Sequence, residues 1–176
     1  MARKNVLKYI LLGLLQTREL SGYDMKKLFE EEIGEFWSAK HSQIYQELIK
    51  LEEEGFITHR VDIVGSKLEK KYYSITDKGI AKLNKWIGSA EELIENKDEF
   101  VLKLYFIDNK DDARLNDMIQ EQIRLHENKL EHLESRMQLV FGDESKKEIM
   151  YGHYLILDHA IRRERAYLNW LNEIKM

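Results

Sequence analysis

Within residues 41–51 the side chains of Ser42, Gln43, Gln46 and Lys50 alternate with the apolar Ile44, Leu48 and Leu51. A hydroxyl, two amides and an ammonium can hydrogen-bond the edges of bases or the oxygens of phosphate, provided that they share an outward surface. A helix over this segment supplies that surface. Ile44, Leu48 and Leu51 recur on one face, so Ser42, Gln46 and Lys50 point away, with Gln43 and Tyr45 on the shoulders. Lys40 and His41 stand at the helix start. A second group follows at Lys67, Lys70 and Lys71, where three cations accompany a single acid, Glu69, in a polar stretch between two strand-like runs. On an isolated hairpin such lysines would only solvate the tip. Beside the polar helix face they are expected to hold phosphate while Ser42, Gln43 and Gln46 read bases, with Lys40, His41, Tyr45 and Lys50 as flanking contacts.

The elements that position these groups follow one another closely. Leu20-Ser21-Gly22-Tyr23-Asp24 is a helix start with Ser21 as cap, and Tyr23, Met25, Leu28, Phe29 and Ile33 are expected to carry the apolar face up to Gly34. The recognition segment then runs to Gly55. After it Ile57, Val61 and Ile63 alternate with Thr58, Arg60 and Asp62, as in a strand, and Tyr72-Tyr73-Ser74-Ile75 forms a second strand. Thr76-Asp77-Lys78-Gly79 opens another helix with Ile80, Leu83, Trp86 and Ile87 on its apolar side. The order is that of a winged helix-turn-helix domain, placed at residues 1–88. The apolar run from Val6 to Leu15 is too short to span a bilayer and is interrupted by Lys8; it is expected to be a buried first helix rather than a signal peptide or membrane segment.

From Asp111 onward the pattern is helical. Ile119, Ile123, His126, Leu130, Leu133, Met137 and Val140 keep a 4-3 spacing over 22 residues, about 33 Å at 1.5 Å per residue. Gly142-Asp143-Glu144-Ser145 breaks it, and Tyr154, Leu157, Ile161, Leu168 and Leu171 mark a final helix. Residues 89–176 are therefore expected to form an antiparallel long-helix dimerisation domain in which these seam residues bury two neighbours, giving a two-fold homodimer with recognition helices about one duplex turn apart or a multiple of it. His126 places a titratable ring in the seam, either to set register through a hydrogen bond or to respond to pH or ligand.

Charge and composition bound the function. The chain of 176 residues has a net charge of −4, but residues 1–88 hold 15 Lys+Arg against 13 Asp+Glu, or +2, leaving 13 against 19, or −6, for the rest. The acids of the first half cluster at helix ends, in Glu30-Glu31-Glu32 and Glu52-Glu53-Glu54. There is no cysteine, hence no disulfide, thiolate nucleophile or cysteine-ligated metal, in keeping with a cytoplasmic protein. No two of His41, His59, His126, His132, His153 and His159 stand three or four apart, and no glycine-rich phosphate loop is present, so neither catalysis, a metal nor a cofactor is expected.

Leu20-Ser21-Gly22-Tyr23-Asp24, Phe36-Trp37-Ser38-Ala39, His41-Ser42-Gln43-Ile44-Tyr45, Leu51-Glu52-Glu53-Glu54-Gly55 and Tyr73-Ser74-Ile75-Thr76-Asp77-Lys78-Gly79 resemble the PadR (phenolic acid decarboxylase regulator) transcription factors over residues 7–88. Asp98-Glu99-Phe100 with Lys103-Leu104 and a long helical tail resembles the longer-tailed branch that includes virulence activators. Many members carry proline where this proline-free chain has Gln46, which permits a longer recognition helix. The resemblance implies a dimeric regulator, a repressor of a nearby gene or its own, bound to an inverted-repeat operator in double-stranded DNA. Some members sense small aromatic or amphipathic effectors; Phe100, Tyr105, Tyr154 and Trp170 either line such a pocket or pack as ordinary core. The rival reading is a helical protein-protein interaction module whose winged domain does not bind DNA. Exposed apolar anchors on the 41–51 face would mark it, and that face is mostly polar.

Overall fold

The structure, a computed structural model, describes residues 5–31, 33–35, 37, 39–64, 68–90 and 98–175. The chain divides into two compact units, residues 1–93 and 94–176. Lys67, named above as a phosphate contact, lies outside the described residues, as do Phe36 and Ser38.

The first unit runs α1 (Leu7–Leu14), β1 (Leu20–Ser21), α2 (Gly22–Glu31), a 3-10 turn (Ile33–Glu35), α3 (His41–Glu53), β2 (Ile57–Val64), β3 (Leu68–Ile75) and α4 (Asp77–Ile87). Leu11, Leu12, Met25, Ile44, Leu48, Leu51, Ile57 and Leu83 form one core between the helices and the root of the hairpin. The start of α2 is fixed reciprocally: the Ser21 backbone N–H and Oγ donate to Asp24 Oδ2 at 3.0 and 2.6 Å, and the Asp24 N–H donates to Ser21 Oγ at 3.2 Å. Tyr23, expected on the apolar face of α2, is instead 61% exposed. It stands two residues from the fully buried Met25, and 200° around a helix is the opposite side.

Gly55 ends α3 in the left-handed region, φ 72°, where the Gly55 N–H donates to the Glu52 carbonyl and the Phe56 N–H to the Leu51 carbonyl, both at 2.9 Å. These two hydrogen bonds satisfy carbonyls of the last turn of α3 and turn the chain into β2. Thr76 caps α4, accepting from the Gly79 N–H at 3.2 Å, while its hydroxyl donates to the carbonyls of Gly55 and Phe56. Gly79 itself faces the Phe56 carbonyl so closely that a Cβ would lie 2.2 Å from the oxygen. The end of α3, the root of β2 and the start of α4 are thus locked at one junction.

The sheet has three antiparallel strands in the order β1-β3-β2, with Ile57 opposite Ile75, Arg60 opposite Tyr72 and Asp62 opposite Lys70. β1, two residues paired with Tyr72 and Tyr73, adds an edge to the expected hairpin. β3 begins at Leu68, so Lys70 and Lys71 lie on the strand and not in the turn. Of the alternating apolar set in β2, only Ile57 reaches the core; Val61 and Ile63 are exposed, because the hairpin projects beyond the helices.

The second unit comprises α5 (Glu99–Leu104), α6 (Ala113–Phe141), α7 (Ser145–Ile149) and α8 (Tyr151–Ile174). Asp98 and Asp112 cap α5 and α6 with their side chains. α6 and α8 pack antiparallel: His126 meets Glu164 and Phe141 meets Tyr154. Two apolar clusters hold them, Ile119 and Ile123 with Leu168 and Leu171 at one end and Leu133 and Phe141 with Leu157 and Ile161 at the other. The 4-3 seam is therefore covered by α8 of the same chain, with His126, Leu130, Met137, Val140 and Tyr154 half-buried along it. No described helix is long and apolar enough to cross a membrane.

Candidate nucleic-acid interface

α3 buries Ile44, Leu48 and Leu51 and leaves His41, Ser42, Gln43, Tyr45, Gln46 and Lys50 exposed, as the spacing predicts. Glu47 on the same helix is buried and accepts from Asn5 Nδ2 at 2.9 Å. Lys40 is the residue before the first turn, and its backbone N–H donates to Gln43 Oε1 at 2.8 Å. Gln43 is thereby engaged as a helix cap, and its oxygen is occupied rather than offered outward. Ser42, Gln46 and Lys50 remain the outward hydrogen-bonders of the helix.

His41 packs edge-on against Tyr45 one turn later, with ring centroids 4.8 Å apart. The Tyr45 ring also rests on Gly22, where a Cβ would come within 2.7 Å of ring carbons. Gly22 thus lets the start of α2 approach the start of α3 and fixes the direction of the Tyr45 ring. Tyr23 extends into solvent beside it.

From Asp24 the surface continues onto the outer side of the sheet. Lys70 Nζ lies 3.5 Å from Asp24 Oδ2 and 5.0 Å from the centre of the Tyr72 ring. Arg60, which the sequence pattern did not single out, lies over the same ring at 4.8 Å and donates to Glu19 at 2.8 Å and Asp62 at 3.1 Å. Ser74 donates to the other Glu19 oxygen at 2.7 Å. These bonds, from Ser74 and Arg60 in that order, hold the Glu19 carboxyl below the usual carboxylate range. Strand alternation puts Arg60 outward, but its meeting with Glu19, 41 residues away, depends on the β1-β3-β2 order. Lys71, on the opposite side of β3, is exposed. His59 of β2 bonds Glu52 of α3, tying the hairpin to the far end of the recognition helix, away from Ser42.

The second unit does not bring Phe100, Tyr105, Tyr154 and Trp170 together. Phe100 packs on Trp170 in one cluster, Tyr154 belongs to the other with Phe141, and Tyr105 is 83% exposed. A cavity of about 900 Å³ lies between α5, α6 and α8, and of the four expected residues it is Phe100 that lines it. Tyr167 and His126 stack in it with centroids 4.2 Å apart, and the Tyr167 hydroxyl donates to Asp98 at 2.7 Å. Burial and Asp98 push the Tyr167 hydroxyl far above its ordinary value. Behind them Glu164 is buried with His126 at 2.5 Å, Lys129 at 2.9 Å and Arg163 at 3.3 Å. Burial pushes its carboxyl up, but Lys129 and His126 more than offset this and hold it below the ordinary value.

A capped helix with an outward polar face, a preceding helix braced against its start and a cation-bearing antiparallel hairpin define a winged helix-turn-helix protein. Residues 11–85 match the Transcriptional regulator PadR-like family, and residues 96–175 match the Virulence activator alpha C-term family. The chain is 45% identical over 173 residues to the Negative transcriptional regulator PadR of Bacillus subtilis, covering 96% of this chain and 95% of that one. Its structure is similar to that of Bacillus subtilis PadR in complex with operator DNA, with TM-score 0.87 and 46% identity over 97% of both chains. It is also similar to the same protein in complex with p-coumaric acid, with TM-score 0.84 and 43% identity over 97% of this chain and 96% of that one. The Vibrio cholerae virulence activator AphA matches with TM-score 0.76 and 25% identity over 96% and 95%. The chain belongs to the PadR family of transcriptional regulators, a family of regulators and not of enzymes.

Proposed function

We propose that this protein is a dimeric repressor that reads an inverted-repeat operator in the cytoplasm. The observation that carries the reading is the outward face of α3: Ser42, Gln46 and Lys50 are presented on a helix braced from behind, in a chain similar over nearly its whole length to one solved with operator DNA. Ser42 and Gln46 read base edges; Tyr23, Tyr45, Lys70 and Lys71 meet the backbone, with Lys40 and Lys50 flanking. Tyr23 joins this set on account of its exposure beside Tyr45.

Since α6 and α8 spend their seam on each other, the second copy takes the apolar side chains left outside: Leu102, Tyr105 and Phe106 around α5, and Tyr151, Leu155 and Ile156 on α8. The effector class supported by the p-coumaric acid complex of the relative is a small aromatic carboxylate. In this chain the cavity beside Tyr167 offers an aromatic platform, and its cations Lys103, Lys129 and Arg163 are paired with Glu99 and Glu164 of the same lining, so a carboxylate ligand competes with those acids for them.

Selection of duplexes from a random library by the full-length protein tests the reading. Enrichment of an inverted repeat with fixed half-site spacing is the expected result; a library left unenriched at low and physiological salt overturns it. Sedimentation of Phe106→Asp tests the pairing surface, with a shift from dimer to monomer expected.

A further inference from the structure

The outer side of the hairpin holds two cations and three carboxylates in contact: Arg60 with Glu19 and Asp62, and Lys70 with Asp24. Taken as it stands this cluster carries a formal charge of −1 and would repel a phosphate backbone. Yet it is continuous with Tyr45 and the start of α2, through the contacts of Gly22 with Tyr45 and Asp24 with Lys70. Both cations also lie over one aromatic ring, that of Tyr72, on the face of the sheet turned away from the core.

The two carboxylates have other partners to fall back on. Asp24 Oδ2 already accepts both donors of Ser21, so Lys70, at 3.5 Å, is its loosest neighbour. Glu19 keeps Ser74 when Arg60 leaves. The Arg60–Glu19 pair is solvent-exposed, a setting in which such pairs contribute little and exchange readily, and the Lys70–Asp24 pair is half-buried but long, at 3.5 Å. A phosphate oxygen placed over Tyr72 offers Arg60 the charge-assisted bond that Glu19 now supplies.

We propose that Glu19 and Asp24 are built-in competitors of DNA phosphate, holding Arg60 and Lys70 in the free protein and releasing them to the backbone on binding. This rests on the reading that the N-terminal unit binds DNA. The device lowers affinity for any duplex that brings phosphate near the hairpin without seating it, because the carboxylates must be displaced before the cations engage.

The test is binding of the full-length protein, at several salt concentrations, to the duplex it selects and to an unselected duplex of equal length. Wild type, Glu19→Gln, Glu19→Asp, Arg60→Gln and the Glu19→Gln/Arg60→Gln double variant are compared. Glu19→Gln is expected to tighten binding about fivefold and to steepen the dependence of log K on log salt. Glu19→Asp keeps the charge but is too short to hold Arg60 and Ser74 together, so it is expected to gain in the same direction. Arg60→Gln weakens binding, and in its background the Glu19→Gln gain disappears. A gain that survives in the Arg60→Gln background is a through-space charge effect and overturns the proposal; so does weaker binding by both Glu19 variants when their thermal transitions match wild type. If the wild-type protein binds neither duplex, it is the DNA-binding reading that falls.

Discussion

Among the described residues each unit buries one glutamate on a helix, Glu47 in α3 and Glu164 in α8, and the two are satisfied in different ways. Glu47 takes a neutral amide donor, Asn5, from the chain segment that precedes α1. Glu164 takes His126 and Lys129 from the facing helix α6 and Arg163 from its own helix. The first arrangement closes the inner side of a platform whose working surface faces outward. The second divides the α6–α8 seam into two apolar clusters and makes one register of the helix pair better than its neighbours, because a slip by one turn would bury the carboxylate among hydrocarbons. In the N-terminal unit the buried carboxylate meets a neutral donor; in the C-terminal unit it meets cations across the helix pair and sets its alignment.

Substitutions at the two glutamates break this contrast or sharpen it. Glu164→Ala leaves Lys129 and His126 facing an empty polar site and is expected to cost about 2–4 kcal/mol in chemical denaturation. Glu164→Leu fills the gap between the clusters and should restore most of that loss, while hydrogen exchange along α6 and α8 becomes less protected as register is relaxed. Glu47→Ala is expected to cost about 1–2 kcal/mol, since one hydrogen bond and some packing are lost; Glu47→Gln, which still accepts from Asn5, should cost less than about 1 kcal/mol. Lys71→Ala belongs to the outward class: its melting transition should stay within about 0.5 kcal/mol of wild type, while the salt slope of operator binding falls by about one.

The smallest effect is in pH. The Glu164 carboxyl is held below its ordinary value of 4.5, so its contribution to stability is complete above that pH and is lost progressively as pH falls beneath it. Glu164→Leu is therefore expected to show a flatter decline than wild type below pH 4.5 in acid titration followed by helical circular dichroism. Equal slopes would mean that Glu164 is not the group that links the seam to pH.

Much of this was legible in the chain. The inward set of α3, the stop at Gly55 and the caps at Ser21 and Thr76 are local signals, and local geometry honours them; α2, by contrast, ends at Glu31, and Gly34 falls inside the 3-10 turn that follows. Tyr23 was misplaced because its apolar ring suggested the core, although its angular separation from Met25 already put it outside. Gln43 carries the residue type of a base reader, yet a position three residues after Lys40 makes it a cap. The seam of α6 was readable as a stripe, but a stripe does not state whether the covering helix comes from the same chain or another. Arg60, Glu19 and the cavity beside Tyr167 were beyond reach, since each depends on strand order or helix register that no local spacing encodes.

The junction of Thr76, Gly79, Gly55 and Phe56 has a mechanical side. With the α4 start in contact with the Phe56 carbonyl and the Thr76 hydroxyl bonded across to Gly55, no slack separates the helix from the hairpin root. α4 and the wing are joined like the two arms of one lever with its fulcrum at Phe56, so a tilt imposed on α4 is expected to reach Arg60 and Lys70 as a swing with no loop on the way to absorb it.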